Sequence, residues 1–109
     1  MKTIAILSNK GGASKTTLSI NLAVAGMLAG KQTAIIDLDP QASASSWGDS
    51  RDHDNPAVIS AQPSRLQNIL ESAKNAGADY VFIDTAPHSE SSALAAARSS
   101  DFIIIPCRP

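Results

Sequence analysis

The sequence predicts an α/β protein: a parallel sheet with helices on both faces. Three observations carry that reading. Short apolar runs without helical period, at 3–7, 32–38, 80–84 and 102–105, alternate with longer segments of helical period at 15–30, 64–76 and 89–99. The short runs are apolar on consecutive residues, as in strands covered on both faces, and strands joined by helices run parallel. The chain has 109 residues, of which 43% are hydrophobic and only 4% aromatic, which bounds it to one domain (1–109) with a modest core of Ile, Leu, Val and Ala.

Each element has its own justification. Residues 3–7 read as a buried strand. The helix from 15 to about 30 carries a stripe of Leu18, Leu22, Ala25 and Ala29, widened by Ile20, Val24, Met27 and Leu28, so it is expected to be covered on several sides. Gly30 is its expected stop. A second strand, 32–38, ends at Asp39-Pro40. A short helix is expected at 42–47, a mobile polar loop at 48–55 and a short strand at 57–60. The helix over 64–76 has Ser64 as expected N-cap, Leu66, Ile69, Leu70 and Ala73 on one face, and Gly77 as its stop. A strand at 80–84, an Ala-rich helix at 89–99 and a strand at 102–105 ended by Pro106 complete the pattern. A doubly wound sheet calls for a covering helix after that last strand. Either a fragment or a strand covered by a partner is therefore expected.

The net charge of −1 provides no global basic field for nucleic acid. A single cysteine, Cys107, excludes an intramolecular disulfide and fits a reducing compartment. No stretch approaches a membrane span, and the first apolar run is too short for a signal peptide, so a cytoplasmic protein with no membrane partner is expected.

The chemistry is concentrated in residues 9–17, Asn-Lys-Gly-Gly-Ala-Ser-Lys-Thr-Thr. Strand, glycine turn and helix are the context of a phosphate-binding loop, whose backbone N–H groups and helix N-terminus seat a polyphosphate. Lys15 would pair with the β/γ-phosphates and Thr16 would hold Mg²⁺. Asp37 and Asp39 end the second strand, and Asp84 ends the strand at 80–84. Ligands in open α/β sheets bind beyond the carboxyl ends of strands. Loop and carboxylates are thus expected on one rim, where one carboxylate orients Mg²⁺ through its waters and another positions a hydrolytic water. A lone Asp-Pro is a turn former; three such carboxylates beside a lysine-bearing loop point to chemistry. Lys10, a second lysine in the loop, would reach a phosphate in its own site or in a partner's.

These residues resemble the ParA/MinD ATPases. Lys10-Gly11-Gly12-x-x-Lys15-Thr16-Thr17 is similar to their deviant Walker A motif, Asp37-Leu38-Asp39-Pro40-Gln41 to switch I, residues 80–87 to the Walker B strand with switch II, and 103–106 to the strand that follows. Asn21-Leu22-Ala23 also fits. The likeness covers nearly the whole chain in order, and the short ParA type is the nearest subgroup. The resemblance implies a P-loop NTPase fold with sheet order 3-2-4-1-5, with further C-terminal strands and helices missing here. It implies an ATP phosphohydrolase that uses ATP/ADP and Mg²⁺ and cycles between monomer and nucleotide-sandwich homodimer to partition plasmids, chromosomes or other cargo. Residues 10–17 (Lys10, Gly11, Gly12, Ala13, Ser14, Lys15, Thr16, Thr17) would bind nucleotide, with Lys10 crossing to the partner's phosphates and Lys15 binding its own. Thr16, Asp37 and Asp84 would serve the metal, and Asp39 would position the attacking water. The implied partners are a second copy, a ParB-like centromere-binding protein and non-specific DNA, with nucleoid association.

Two departures from the pattern are visible. The general P-loop spacing places glycines at 9 and 14, where this chain has Asn9 and Ser14. Asn9 falls within the family's variation. At 14 a Cβ and hydroxyl crowd the approach to phosphate, with an added strain cost of about 1 kcal/mol were the local φ positive. Weakened nucleotide binding, or a loop moved outward, is expected; donation from the hydroxyl to phosphate is the lesser alternative. The family fold also continues well beyond this length, with the adenine-binding loop and DNA-contacting basic residues; Arg108 is the only basic residue near the end. A catalytically impaired interaction module is therefore the rival reading. A P-loop kinase or biosynthetic ligase is a third, disfavoured by Asp37-Leu38-Asp39-Pro40-Gln41. His53 and His88 read as loop residues, Trp47 as a core anchor and Cys107 as a packed or terminal thiol; none has metal-ligand spacing.

Overall fold

The computed structural model describes residues 1–7, 13–39, 44, 55–86 and 89–105, with the backbone alone for 13–17. In chain order the elements are β1 (Lys2–Ile6), α1 (Ala13–Leu28), β2 (Thr33–Asp37), β3 (Ala57–Ser60), a 3₁₀ turn (Pro63–Arg65), α2 (Leu66–Asn75), β4 (Tyr80–Asp84), α3 (Glu90–Ser99) and β5 (Phe102–Ile104). The five strands form one parallel sheet in the order β3-β2-β4-β1-β5, as the resemblance implies. The short helix expected at 42–47 and the loop at 48–55 fall outside the described residues, except Ala44, which is helical and buried, and Asn55.

Strand periodicity divides the core in two. Ala5, Ala34, Ile36, Val81 and Ile83 meet Leu66 and Leu70 of α2 and Ala96 of α3 on one face. Ile6, Ile35 and Phe82 meet Ala23 of α1, with Ala44, on the other. Neighbouring positions thus serve opposite faces, which is why the central strands need apolar residues throughout. The edge strands differ: in β3 only Val58 is half-buried, and in β5 Phe102 and Ile103 are exposed.

Helix α1 seats differently from the leucine stripe expected of it. Ser19 and Ala23 are fully buried, Leu18 and Leu22 are half-buried on the flanks, and Ala25 and Ala29 are exposed. Close approach explains the shift. The Thr33 hydroxyl donates to the Ala23 carbonyl at 2.9 Å, and a Cβ on Gly26 would lie 2.7 Å from Thr33 Cγ2. Small residues form the seat, and the leucines straddle it. The two expected glycine stops hold. Gly30 (φ +84°) and Gly77 (φ +89°) close left-handed caps in which Lys31 N–H donates to the Gly26 carbonyl (3.0 Å) and Ala78 N–H to the Ala73 carbonyl (3.0 Å). Ser64 is no N-cap: it lies inside the 3₁₀ turn, and α2 starts after Arg65 without a side-chain cap. Ser89 does cap α3, accepting from Ser92 N–H at 3.2 Å.

Candidate functional site

The carboxyl ends of β1, β2 and β4 meet at one rim, because their registers end together: Ile6 pairs with Asp84, and Asp37 pairs with Asp84. Period two places both carboxylates on the α1 side of the sheet, since Ile35 and Phe82, two positions earlier in each strand, pack in the α1 cluster. Helix α1 begins at this same rim, at Ala13, following the chain out of β1. The first turn of a helix carries backbone N–H groups without intrahelical partners, which makes a helix start a favourable neighbour for anions.

All three expected acidic residues are sequestered. Asp84 is 0% exposed, Asp37 1% and Asp39 9%. Ionised side chains are rarely buried this deeply without partners. For Asp37 the partners include two backbone donors: Asp39 N–H to Oδ1 at 3.0 Å and Ala44 N–H to Oδ2 at 3.1 Å. The β4 exit is tied to its neighbours as well. Leu38 N–H donates to the Asp84 carbonyl at 2.8 Å, and the buried Thr85 hydroxyl donates to the Ile6 carbonyl at 2.9 Å, on the last residue of β1. Ala86 N–H donates to the buried Ser92 hydroxyl at 3.0 Å, which fastens the same segment to α3. Sequence reading included Thr85 in the 80–87 segment without a role of its own and passed over Ser92.

The remaining expected site residues stand as follows. Lys10, Gly11 and Gly12 lie outside the described residues, as do Asn9, Pro40, Gln41, Trp47, His53, His88, Cys107 and Arg108. Ala13, Ser14, Lys15, Thr16 and Thr17 form the first turns of α1. The backbone at Ser14 is therefore helical, and the strain that a positive φ would bring does not arise there. Among the described residues no three His, Cys, Asp or Glu side chains group as a metal site, and no helix is long and apolar enough to cross a membrane. An apolar cavity of about 280 Å³ lies away from the carboxylates, lined by Thr33, Ala34, Ala57 and Ile59 of the sheet and by Ala73 and Ala76 of the α2 end.

Comparison with known proteins agrees with this geometry. Residues 4–83 match the family model described as the CobQ/CobB/MinD/ParA nucleotide binding domain. The chain is 35% identical over 112 residues to maintenance of carboxysome distribution protein A of Gloeobacter kilaueensis, covering 99% of this chain and 50% of that protein. It is 49% identical over 45 residues to the chromosome-partitioning ATPase Soj of Treponema pallidum, covering 41% of this chain and 18% of that one. Among solved structures, cobyrinic acid a,c-diamide synthase of Mycobacterium smegmatis, with bound ADP and magnesium, superposes with a TM-score of 0.82 at 18% identity, over 97% of this chain and 59% of the other. The chain spans about half the length of the relatives it matches from end to end. The fold, the sheet order and the matched family model agree: this chain belongs to the CobQ/CobB/MinD/ParA nucleotide-binding domain family.

Proposed function

We propose that residues 1–109 act as one ParA-like unit that binds ATP with Mg²⁺ at the rim shared by β1, β2 and β4, and that hydrolysis there drives a monomer–dimer cycle that partitions DNA or positions another cargo. The observation that carries the reading is the register pairing of two buried carboxylates, Asp37 and Asp84, on the sheet face where α1 begins. Desolvating carboxylates does not favour folding by itself, and a cation bound at this rim would offset the buried charge. Carboxylate oxygens at the rim are the hard donors that suit Mg²⁺, which when bound would offset phosphate charge.

In this reading Lys15 binds phosphate in its own subunit, and Lys10 reaches the phosphates of a second copy. The backbone of 11–14, with Thr17, completes the cradle. Thr16 and Asp84 serve the cation, Asp37 adds to the same acidic rim, and Asp39 orients the attacking water. The name of the Soj relative supports partition of chromosomes, and that of the carboxysome protein, matched over the whole chain, supports a proteinaceous cargo. The bound ADP and magnesium of the synthase support the choice of ligand. Non-specific DNA and a ParB-like protein are the partners proposed by family analogy, with the nucleoid in the cytoplasm as the place of action.

Turnover of radiolabelled ATP by the native chain and by Lys15→Ala tests the proposal. Hydrolysis that needs Lys15 supports it. Absence of both ATP binding and turnover in the native chain favours the second reading, an impaired interaction module, for which Ser14 in the cradle is the specific observation. Ser14→Gly then separates a crowded cradle from an absent one: tighter ATP binding supports crowding, and equal affinity removes that account.

A further inference from the structure

Asp37 has partners that a cation-ligand role does not explain. Its side chain is 1% exposed, and its two oxygens face two different parts of the chain: Oδ1 accepts Asp39 N–H at 3.0 Å, and Oδ2 accepts Ala44 N–H at 3.1 Å. The first bond is a local turn contact. The second spans the segment that leaves β2. Ala44 is itself fixed, being 0% exposed and packed in the α1-side core. One carboxylate therefore fastens both Asp39 and Ala44 to the end of β2.

Resting on the nucleotide-binding reading, we propose that Asp37 is a positioning residue: it ties the backbone of Asp39 and of Ala44 to the end of β2 and thereby holds Asp39 at the rim, acting through these backbone bonds and not as a direct ligand of the cation. Residue chemistry supports this. An ionised carboxylate has two acceptor oxygens and no donor, whereas Asn offers one acceptor and an NH₂ group that opposes the second N–H. Shorter Ser or Thr side chains present a single oxygen. Buried backbone N–H groups demand acceptors, so the clamp has a structural reason independent of any ligand.

The test has two arms. In the nucleotide-free chain, amide hydrogen exchange is followed by NMR at Asp39 and Ala44, in the native protein and in Asp37→Asn. Exchange at both sites is expected to rise about tenfold or more in the variant, while the amides of Ile4 and Phe82 in the central strands stay protected. In the second arm, the Mg²⁺ concentration giving half-maximal nucleotide binding is expected to stay within about twofold of native while kcat falls about tenfold. Unchanged exchange at Asp39 and Ala44 overturns the proposal, and so does a tenfold higher Mg²⁺ requirement, which identifies a direct ligand. Should the native chain bind no Mg²⁺–nucleotide at all, the proposed function fails, and the exchange arm alone decides the clamp. If Asp37→Asn does not fold, lactic acid in place of Ala44 removes one donor N–H and leaves the carboxylate intact. Lost kcat at an unchanged Mg²⁺ requirement in that ester supports the clamp, and native kcat overturns it.

Discussion

The two ends of the sheet set Asp and Asn side chains in opposite surroundings. At the end where strands begin, Asn55, Asp79 and Asp101 each precede a strand and stitch it to its neighbour. Asn55 Nδ2 donates to the Lys31 carbonyl (3.1 Å) while Oδ1 accepts Thr33 N–H (3.1 Å). Asp79 accepts Gln32 N–H (2.8 Å) and returns its own N–H to the Gln32 carbonyl (2.7 Å). Asp101 does the same with Thr3, at 2.9 and 2.8 Å. Asp79 and Asp101 are exposed, so their charges keep their hydration, and the backbone bonds come at little desolvation cost. At the other end, Asp37 and Asp84 are buried side by side. That placement is costly for folding. The contrast teaches that a carboxylate at a strand end is informative through its burial: both kinds bond backbone, but exposed ones do so at little desolvation cost, whereas the cost of burying a pair makes that pair the candidate for a site.

Breaking the buried end should give the largest effect. Asp84→Asn keeps the shape of the side chain and removes its charge. Mg²⁺-dependent nucleotide binding, measured by calorimetry, is expected to fall about 10–100-fold. Native affinity in the variant would remove Asp84 from the site and with it the contrast between the two ends.

The opposite end can be broken without touching chemistry. In Gly26→Ala the new Cβ would sit 2.7 Å from Thr33 Cγ2, in a β2 start already fixed by its hydroxyl bond to α1. Overpacking of this kind costs about 1–3 kcal/mol. Thermal unfolding should therefore shift down by several degrees, roughly 4–8 °C per kcal/mol for a domain of this size. Nucleotide affinity of the folded protein, measured well below that transition, should stay native. A coupled loss of affinity would mean that the two ends are not independent.

Much of this was legible in the sequence, for physical reasons that also explain what was not. The strands at 80–84 and 57–60 have the bounds expected of them, because each is a short apolar run that ends at a polar residue, Asp84 and Ser60. Gly30 and Gly77 were readable as stops because only a residue without a Cβ takes their positive φ cheaply. The shared rim was readable too, since parallel strands that begin together end together. The seat of α1 was not. A hydrophobicity pattern selects large apolar residues, and here the sheet is met by Ser19, Ala23 and Gly26, chosen for small size. Nor were the stitches at Asn55, Asp79 and Asp101 or the clamp at Asp37, because hydrogen bonds between a side chain and distant backbone leave no periodic trace. In sequence all of these residues look alike, as polar punctuation beside strands.

The smallest effects should come from cutting the exposed stitches one at a time. Asp79→Ala removes the acceptor of Gln32 N–H but leaves the reciprocal backbone bond in place, and Gln32 N–H is near solvent. The net loss should be about 0.5–1.5 kcal/mol in denaturant unfolding. Asp101→Ala should lose a similar amount, somewhat more because the Thr3 N–H it serves is partly buried. The two stitches lie on different strand pairs, β2 with β4 and β1 with β5, so the double variant should lose the sum within about 0.5 kcal/mol. Neither change should move nucleotide affinity. Strong non-additivity would show that the strand starts form one cooperative rim, and the stitched end would then behave as a unit and not as separate bonds.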